Sequence, residues 1–275
     1  MKAWQLFLRK AVRILELLAK SINFNGTELS KDYAIVSYGA MATQRDNVIN
    51  QSTLRGNITP YRDVSHFYGL NHTEPLQFDL SLMRRDEKPL TNTERDTLIH
   101  WLCGPHDFCK LTVTDWSFSD YHKDIEYFVV CTGYSEFSHN TKIWGYTFHF
   151  EANAPYGFTP EYTYELSGGK VEIENLSIDD TPYYPTIELD CTKEETVKIE
   201  NTAVPGTILT LHVYKGQHLT IDCDMGDITD NIEMFDYGED SNLTWIYLVP
   251  GTNTINVTGS VTGTITCQYP RKVGI

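Results

Sequence analysis

The stretch Ile143-Trp144-Gly145-Tyr146-Thr147-Phe148-His149-Phe150-Glu151-Ala152-Asn153-Ala154-Pro155-Tyr156-Gly157-Phe158 decides how this chain divides. Trp144, Tyr146, Phe148, Phe150 and Ala152 fall on one side of an alternating pattern, and Gly145, Thr147, His149 and Glu151 fall on the other. Successive side chains of a β-strand point to opposite faces, so the pattern predicts a strand with one buried face. Pro155 lacks the N–H that a further ladder bond needs and closes the strand. Upstream lie a helical pattern, basic residues and long polar connections; downstream come short alternating segments and acid. The strand therefore ends one domain, residues 22–158, and a second, residues 159–275, follows it.

The 275 residues suffice for two domains of roughly 100–150 residues with real cores. A hydrophobic content of 41% with 12% aromatics excludes a disordered chain. The net charge of −15 is unevenly spread: residues 1–154 hold 16 basic against 18 acidic residues, and residues 155–275 hold 6 against 19. So acidic a C-terminal half repels phosphate backbones, and nucleic-acid binding there is not expected. The six cysteines, Cys103, Cys109, Cys131, Cys191, Cys223 and Cys267, are widely spread. At least Cys191, Cys223 and Cys267 stand on the apolar phase of alternating segments, where a reduced Cys acts as a small hydrophobe, in keeping with assembly in a cytoplasm.

In residues 1–21, Trp4, Leu8, Ala11, Leu15 and Leu18 recur at four- and three-residue steps, which predicts an amphipathic helix. Arg9, Lys10, Arg13 and Glu16 interrupt any apolar run, so the segment reads neither as a signal peptide nor as a membrane span. Its stripe, with Trp4, Leu8 and Leu15 as anchors, packs on its own domain, on a neighbouring subunit or on a membrane surface; the spacing alone leaves these open.

The first domain reads as α+β. Ile22–Leu29 and Tyr33–Tyr38 are expected to form a hairpin around Asn25-Gly26. Residues 39–70 carry Arg45, Asn47, Asn50, Gln51, Arg55, Gly56, Asn57 and Arg62 with few large aliphatics, material for a solvated loop or a functional arm rather than a core. Leu76, Phe78, Leu80 and Leu82 alternate into one face of a strand. Thr91 with Glu94 makes a capping box for a helix that runs to Cys103 and stops at Gly104-Pro105, with Leu98, Ile99 and Leu102 on its buried stripe. Strands over Lys110–Thr114 and Glu126–Cys131 complete the sheet. His100, Cys103, His106 and Cys109 recur every three residues with zinc-preferring ligand types, but Gly104-Pro105 splits the set and no long loop separates two ligand pairs, so no metal is expected.

The second domain has a nearly pure β alphabet. Strands are expected at Val171–Asn175, Thr186–Cys191, Thr196–Asn201, Thr207–Lys215, His218–Cys223, Leu243–Val249, Asn253–Thr258 and Gly263–Tyr269, with turns at Lys215-Gly216 and Pro250-Gly251. Short alternating strands of this kind build an antiparallel sandwich. Tyr183, Tyr184, Tyr214, Trp245 and Tyr247 are either core residues or aromatic platforms. Asp224, Asp227, Asp230, Glu233, Asp236, Glu239 and Asp240 stud one connection without the dense alternation of a calcium loop, so a solvated loop is expected.

Taken in order, Ile22-Asn23-Phe24-Asn25-Gly26, the helix end Leu98-Ile99-His100-Trp101-Leu102-Cys103-Gly104, the strand at Trp144 and the run Leu248-Val249-Pro250-Gly251-Thr252-Asn253 resemble the distal tail proteins of long-tailed, siphovirus-type bacteriophages. The resemblance implies a mainly β chain, with a ring-forming N-terminal domain whose arm is a β-belt reaching the next subunit, and a C-terminal sandwich similar to galectins and carbohydrate-binding modules. It implies a structural virion protein at the tail tip, hexameric, joining the tail tube protein to tip, fibre or receptor-binding proteins. Arg45, Asn47, Gln51 and Arg55 in the arm, with Trp4, Leu8 and Leu15, are the expected subunit-interface residues.

No phosphate loop, nucleophile elbow or facing carboxylate pair is legible, so no catalytic residue, cofactor or enzyme activity is expected. Two other readings stand beside the structural one: a receptor- or glycan-binding tail module, and a glycan-processing enzyme.

Overall fold

The computed structural model describes residues 15–16, 19–36, 52–57, 66–72, 75–116, 124–166, 169–177, 181–232 and 235–271. The chain is mostly β, with antiparallel sheets, and divides between Gly157 and Phe158 into two compact units.

In the first unit, β1 (Leu15–Glu16), β2 (Ala19–Phe24), β3 (Thr27–Glu28), β4 (Tyr33–Ile35), β5 (Ser52–Asn57), β6 (His66–His72) and β7 (Gln77–Arg84) precede α1 (Asn92–Cys103). β8 (Cys109–Trp116), β9 (Glu126–His139) and β10 (Lys142–Ala152) follow it. The main sheet runs β1-β7-β10-β9-β8-β2-β3. Inside it, between β7 and β9, lies the strand that the alternation of aromatics foretells. In β10, Tyr146, Phe148 and Phe150 stand opposite Leu82, Leu80 and Phe78 of β7, all of them buried. Phe78 and Phe150 stack with ring centroids 5.4 Å apart, and Phe24 of β2 closes on Phe150 at 5.7 Å. Aromatic pairs across a ladder contribute beyond their buried area, so this cluster fixes the register.

Trp144 departs from the expected phase. A bulge between Ile143 and Gly145 leaves Trp144 without a partner on β9, and its indole Nε1 donates to the carbonyl of His139 at 3.3 Å. Ile143 packs against the core in its place. Gly145 is required beside the bulge, because a Cβ there would collide with the carbonyl oxygen of Leu82.

Helix α1 forms where the capping box places it: the amide of Glu94 donates to Thr91 Oγ1 at 3.3 Å, and the amide of Thr91 donates to Glu94 Oε2 at 2.7 Å. Leu98 and Leu102 are its buried residues, and Trp101 reaches Phe24 with its Nε1 donating to the Phe24 carbonyl at 3.3 Å. Gly104 remains right-handed (φ −69°), so Pro105 rather than a left-handed glycine ends the helix.

Two sequence expectations are corrected here. The helix expected over residues 1–21 does not extend through its C-terminal part: Leu15–Glu16 pairs in parallel with Phe78–Asp79, and Ala19–Phe24 pairs with β8. Helical spacing of apolar residues yields to open sheet margins that accept strands, a tertiary override of local pattern. Trp4 and Leu8 lie outside the described residues. The hairpin around Asn25-Gly26 joins β2 to β3, with Asn25 at φ 51° and Gly26 at φ 78°, the left-handed pair of a tight two-residue turn. Tyr33–Ile35 instead pairs with Leu82–Arg84 of β7.

The two-residue β11 (Gly157–Phe158) lies across the division. The second unit contains β12 (Tyr162–Leu166), β13 (Gly169–Asn175), β14 (Thr186–Cys191), β15 (Glu195–Asn201), β16 (Ile208–Val213), β17 (His218–Asp222), β18 (Asp227–Asp230), α2 (Tyr237–Asp240), β19 (Gly251–Thr258), β20 (Val261–Cys267) and β21 (Pro270–Arg271). Two antiparallel sheets, ordered β12-β20-β14-β17-β18 and β13-β19-β15-β16, form a sandwich. Their inner faces share one core, with Ile187, Leu189, Leu219, Ile221 and Ile265 from one sheet meeting Ile173, Val197, Ile199, Leu209, Leu211 and Ile255 from the other.

Leu243–Val249 is not the expected strand, although Ile246 and Leu248 are fully buried. Its carbonyls are taken by asparagine side chains instead. Asn201 Nδ2 donates to Tyr247 O at 2.7 Å, Asn175 Nδ2 to Leu248 O at 3.3 Å, and Asn253 Nδ2 to Val249 O at 2.8 Å, while Val249 N donates to Asn253 Oδ1 at 2.9 Å. Buried backbone groups must be paired, and here asparagine side chains and a single backbone bridge between Leu248 and Tyr183 take the place of a continuous ladder. The acidic connection is also more ordered than expected, since Asp227–Asp230 pairs with β17 as an edge strand.

Candidate assembly interface

Ser52–Asn57 and His66–His72 form an antiparallel ribbon, with Ser52 opposite His72 and Asn57 opposite His66, and a register shift between Leu54 and Gly56. Arg55 sits at that irregularity. The ribbon is a separate two-stranded sheet whose strands, among the described residues, pair with each other alone. An isolated two-stranded ribbon is marginally stable in water, so a lasting one needs a surface to lie on. Of residues 39–70, which read as a solvated loop or a functional arm, 52–57 and 66–70 are strand, and β6 continues to His72. Arg45, Asn47 and Gln51 lie outside the described residues, and Leu15 stands in β1 opposite Phe78.

A second surface feature is an open groove of about 790 Å³ between the β2–β3 turn and helix α1. Asn25, Thr27, Glu28 and Ser30 form one wall; Asp96, Thr97, His100 and Trp101 form the other, and Gly104-Pro105 lies at one end. His100 thus faces a groove, whereas Cys103 faces Cys131 of β9. Among the described residues, no three His, Cys, Asp or Glu side chains converge as a metal site.

In the second unit the five aromatics part company. Tyr183 is held inward, 4.7 Å from the Tyr269 ring, and its hydroxyl accepts from Gln268 N at 2.8 Å; burial pushes its pKa up to about 12. Tyr214 donates to Asp240 Oδ1 at 3.2 Å. Trp245 is half-buried beside Gly226. Tyr184, 37% exposed, meets half-buried Tyr247 at 5.7 Å and 50°, a tilted pair rather than a flat platform. Several carboxylates in and beside the acidic connection serve local structure: Asp222, at the end of β17, accepts from the amides of Asp224 and Met225, Asp240 from the amide of Asp236, and Asp227 from the Tyr237 hydroxyl.

Comparison with known proteins follows this division. Residues 18–154 match a family model described as a phage tail protein N-terminal domain, and residues 156–267 match a phage tail C-terminal domain. The chain belongs to this family of phage tail proteins. Among solved structures, the tail protein is similar to the Dit (gp 19.1) protein of phage SPP1, described as a paradigm of the hub adsorption apparatus in phages infecting Gram-positive bacteria. The two share 12% identity with a TM-score of 0.62, over 90% of this chain and 98% of that one. The two chains share a fold. The baseplate of phage P2 in its activated conformation with Ca also matches, at 12% identity and a TM-score of 0.46, over 90% of this chain and 96% of that one. No curated protein matches by sequence. No helix among the tail protein's described residues is long and apolar enough to cross a membrane.

Proposed function

We propose that this tail protein is the distal tail component of a siphovirus-type virion, a structural hub that closes into a homo-hexameric ring between the tail tube and the tip or fibre proteins. The observation that carries the reading is the coincidence of both tail-protein domains, in order, with the SPP1 Dit architecture over 90% of the chain. The β5–β6 ribbon supports self-association, because a ribbon whose strands, among the described residues, pair only with each other gains stability by lying on a neighbouring copy. In this reading the arm carrying Arg45, Asn47, Gln51 and Arg55 is the belt of the ring, and the protein works through interfaces, without catalysis.

Native mass measurement and imaging of the purified full chain test the reading. A closed ring is expected; a strict monomer at assembly-like concentrations overturns it. A second reading, in which the sandwich binds a glycan of the host surface, rests on Tyr184 and Tyr247. It requires that Tyr184→Ala abolish retention on immobilised host cell-wall glycans while the melting curve stays in place.

A further inference from the structure

Six thiols are present and all are free, but two of them are neighbours. Cys103 is the last residue of α1, and Cys131 lies in β9 next to the irregularity that separates the pairs His149–Gly133 and Phe150–Cys131. Their sulfurs are 3.0 Å apart, and Cys131 also donates to the Gly133 carbonyl at 3.3 Å. Both residues are half-buried, in contrast with Cys191, Cys223 and Cys267, which lie in the core of the other unit. A disulfide bond measures about 2.05 Å between sulfurs, so the pair has only about 1 Å to close.

We infer that Cys103 and Cys131 form an oxidative modification site: a latent intrachain disulfide that fastens the C-terminal end of α1 to β9. The co-reactant is a small-molecule disulfide. One cysteine thiolate attacks a sulfur of that disulfide and releases the first small thiolate. The second cysteine then attacks the protein-bound sulfur of the mixed disulfide and releases the other. Two cysteine thiols lose two electrons and two protons in total, and the small disulfide is reduced to two thiols.

Neither end of the bond can move far. Leu98 and Leu102 bury α1 against the sheet, and β9 is paired along its length with β10. The bond would close a loop across 28 positions of sequence, which restricts the unfolded chain while leaving the folded unit nearly unchanged. Burial and the facing thiol push Cys103 up to about 12, so its thiolate is scarce at neutral pH and the crosslink forms slowly there.

The test uses the folded full chain at mildly alkaline pH, with oxidised glutathione as the probe. The expected result is loss of two of the six thiols, a peptide joining Cys103 to Cys131 that is lighter by two hydrogens, and a melting temperature raised by roughly 5 °C that dithiothreitol reverses. Cys103→Ser should instead take up one glutathione at Cys131, and Cys109→Ser should crosslink as the parent does. Six persisting thiols in the folded protein, or a crosslink that runs through Cys109, overturns the inference.

Discussion

Asn201 shows how much one polar side chain can organise. It is fully buried, donates from Nδ2 to the Tyr247 carbonyl and to Asn253 Oδ1 at 2.8 Å, and accepts from Ala203 N at 3.1 Å. Replacing it by alanine removes a donor to the Tyr247 carbonyl and one of the two donors to buried Asn253 Oδ1, while the amide of exposed Ala203 turns to water; a buried polar group that loses its partner costs roughly 1–3 kcal/mol. Asn201→Ala should therefore lower the stability of the second unit by about 2–4 kcal/mol, read as a fall in the urea midpoint. Asn242→Ala removes bonds of similar length to Ile208 O and Thr210 N, but from an exposed position where water substitutes, and should cost about 1 kcal/mol or less. Equal losses for the two variants would show that burial of the network contributes nothing. At this scale the sequence was silent. Asn175, Asn201 and Asn253 lie far apart along the chain, and nothing local marks them as partners of one segment. That is why Leu243–Val249 reads as a strand from its alternation and is not one.

Elements were legible where burial on one face enforces a period. Phe78, Leu80 and Leu82 in β7, Tyr146, Phe148 and Phe150 in β10, and Leu209, Leu211 and Val213 in β16 are buried in the phase their sequence shows. The bulge at Trp144 was not legible, because an unpaired residue is a property of two strands together. Helix α1 was legible from its cap, which also makes it sensitive to acid. Bonds from Thr91 and the Arg84 guanidinium, 2.7 Å away, hold the Glu94 carboxyl below its ordinary value of 4.5. A depressed carboxyl contributes stability that is complete above its unfolded pKa and is lost as pH falls through the lower folded value. Glu94→Gln should thus flatten the pH dependence of the first unit's melting temperature below about pH 4.5 while leaving a neutral-pH loss of about 1 kcal/mol. The N-terminal spacing misled, because β1 and the start of β2 occupy part of what reads as a helix. Deleting residues 1–20 removes the pairing of Leu15–Glu16 with β7 and of Ala19 with Trp116, whereas deleting residues 1–14 spares both. The longer deletion should lower the melting temperature by several degrees relative to the shorter; indistinguishable melts would mean that these pairings add no stability.

At the scale of the whole molecule, charge is the property that sequence states most directly and that assembly must overcome. Each copy carries a net −15, of which −13 belongs to residues 155–275 and −2 to residues 1–154. In the proposed ring, six copies concentrate that charge whatever the placement of the acidic units, and self-repulsion opposes closure. Salt screens such repulsion, with a Debye length of about 30 Å at 0.01 M and about 8 Å at 0.15 M. Apolar and backbone contacts between copies, of the kind a two-stranded ribbon such as β5–β6 can make, do not weaken over this range. The ring should accordingly form at lower protein concentration as salt rises from about 0.01 to 0.15 M, measured by sedimentation or native mass at each ionic strength. The interface residues expected from the arm include Arg45 and Arg55, and if their charges against acidic groups of the next copy dominated, added salt would dissolve the ring instead. The sign of the salt dependence therefore separates an interface built on strand and apolar contact from one built on charge.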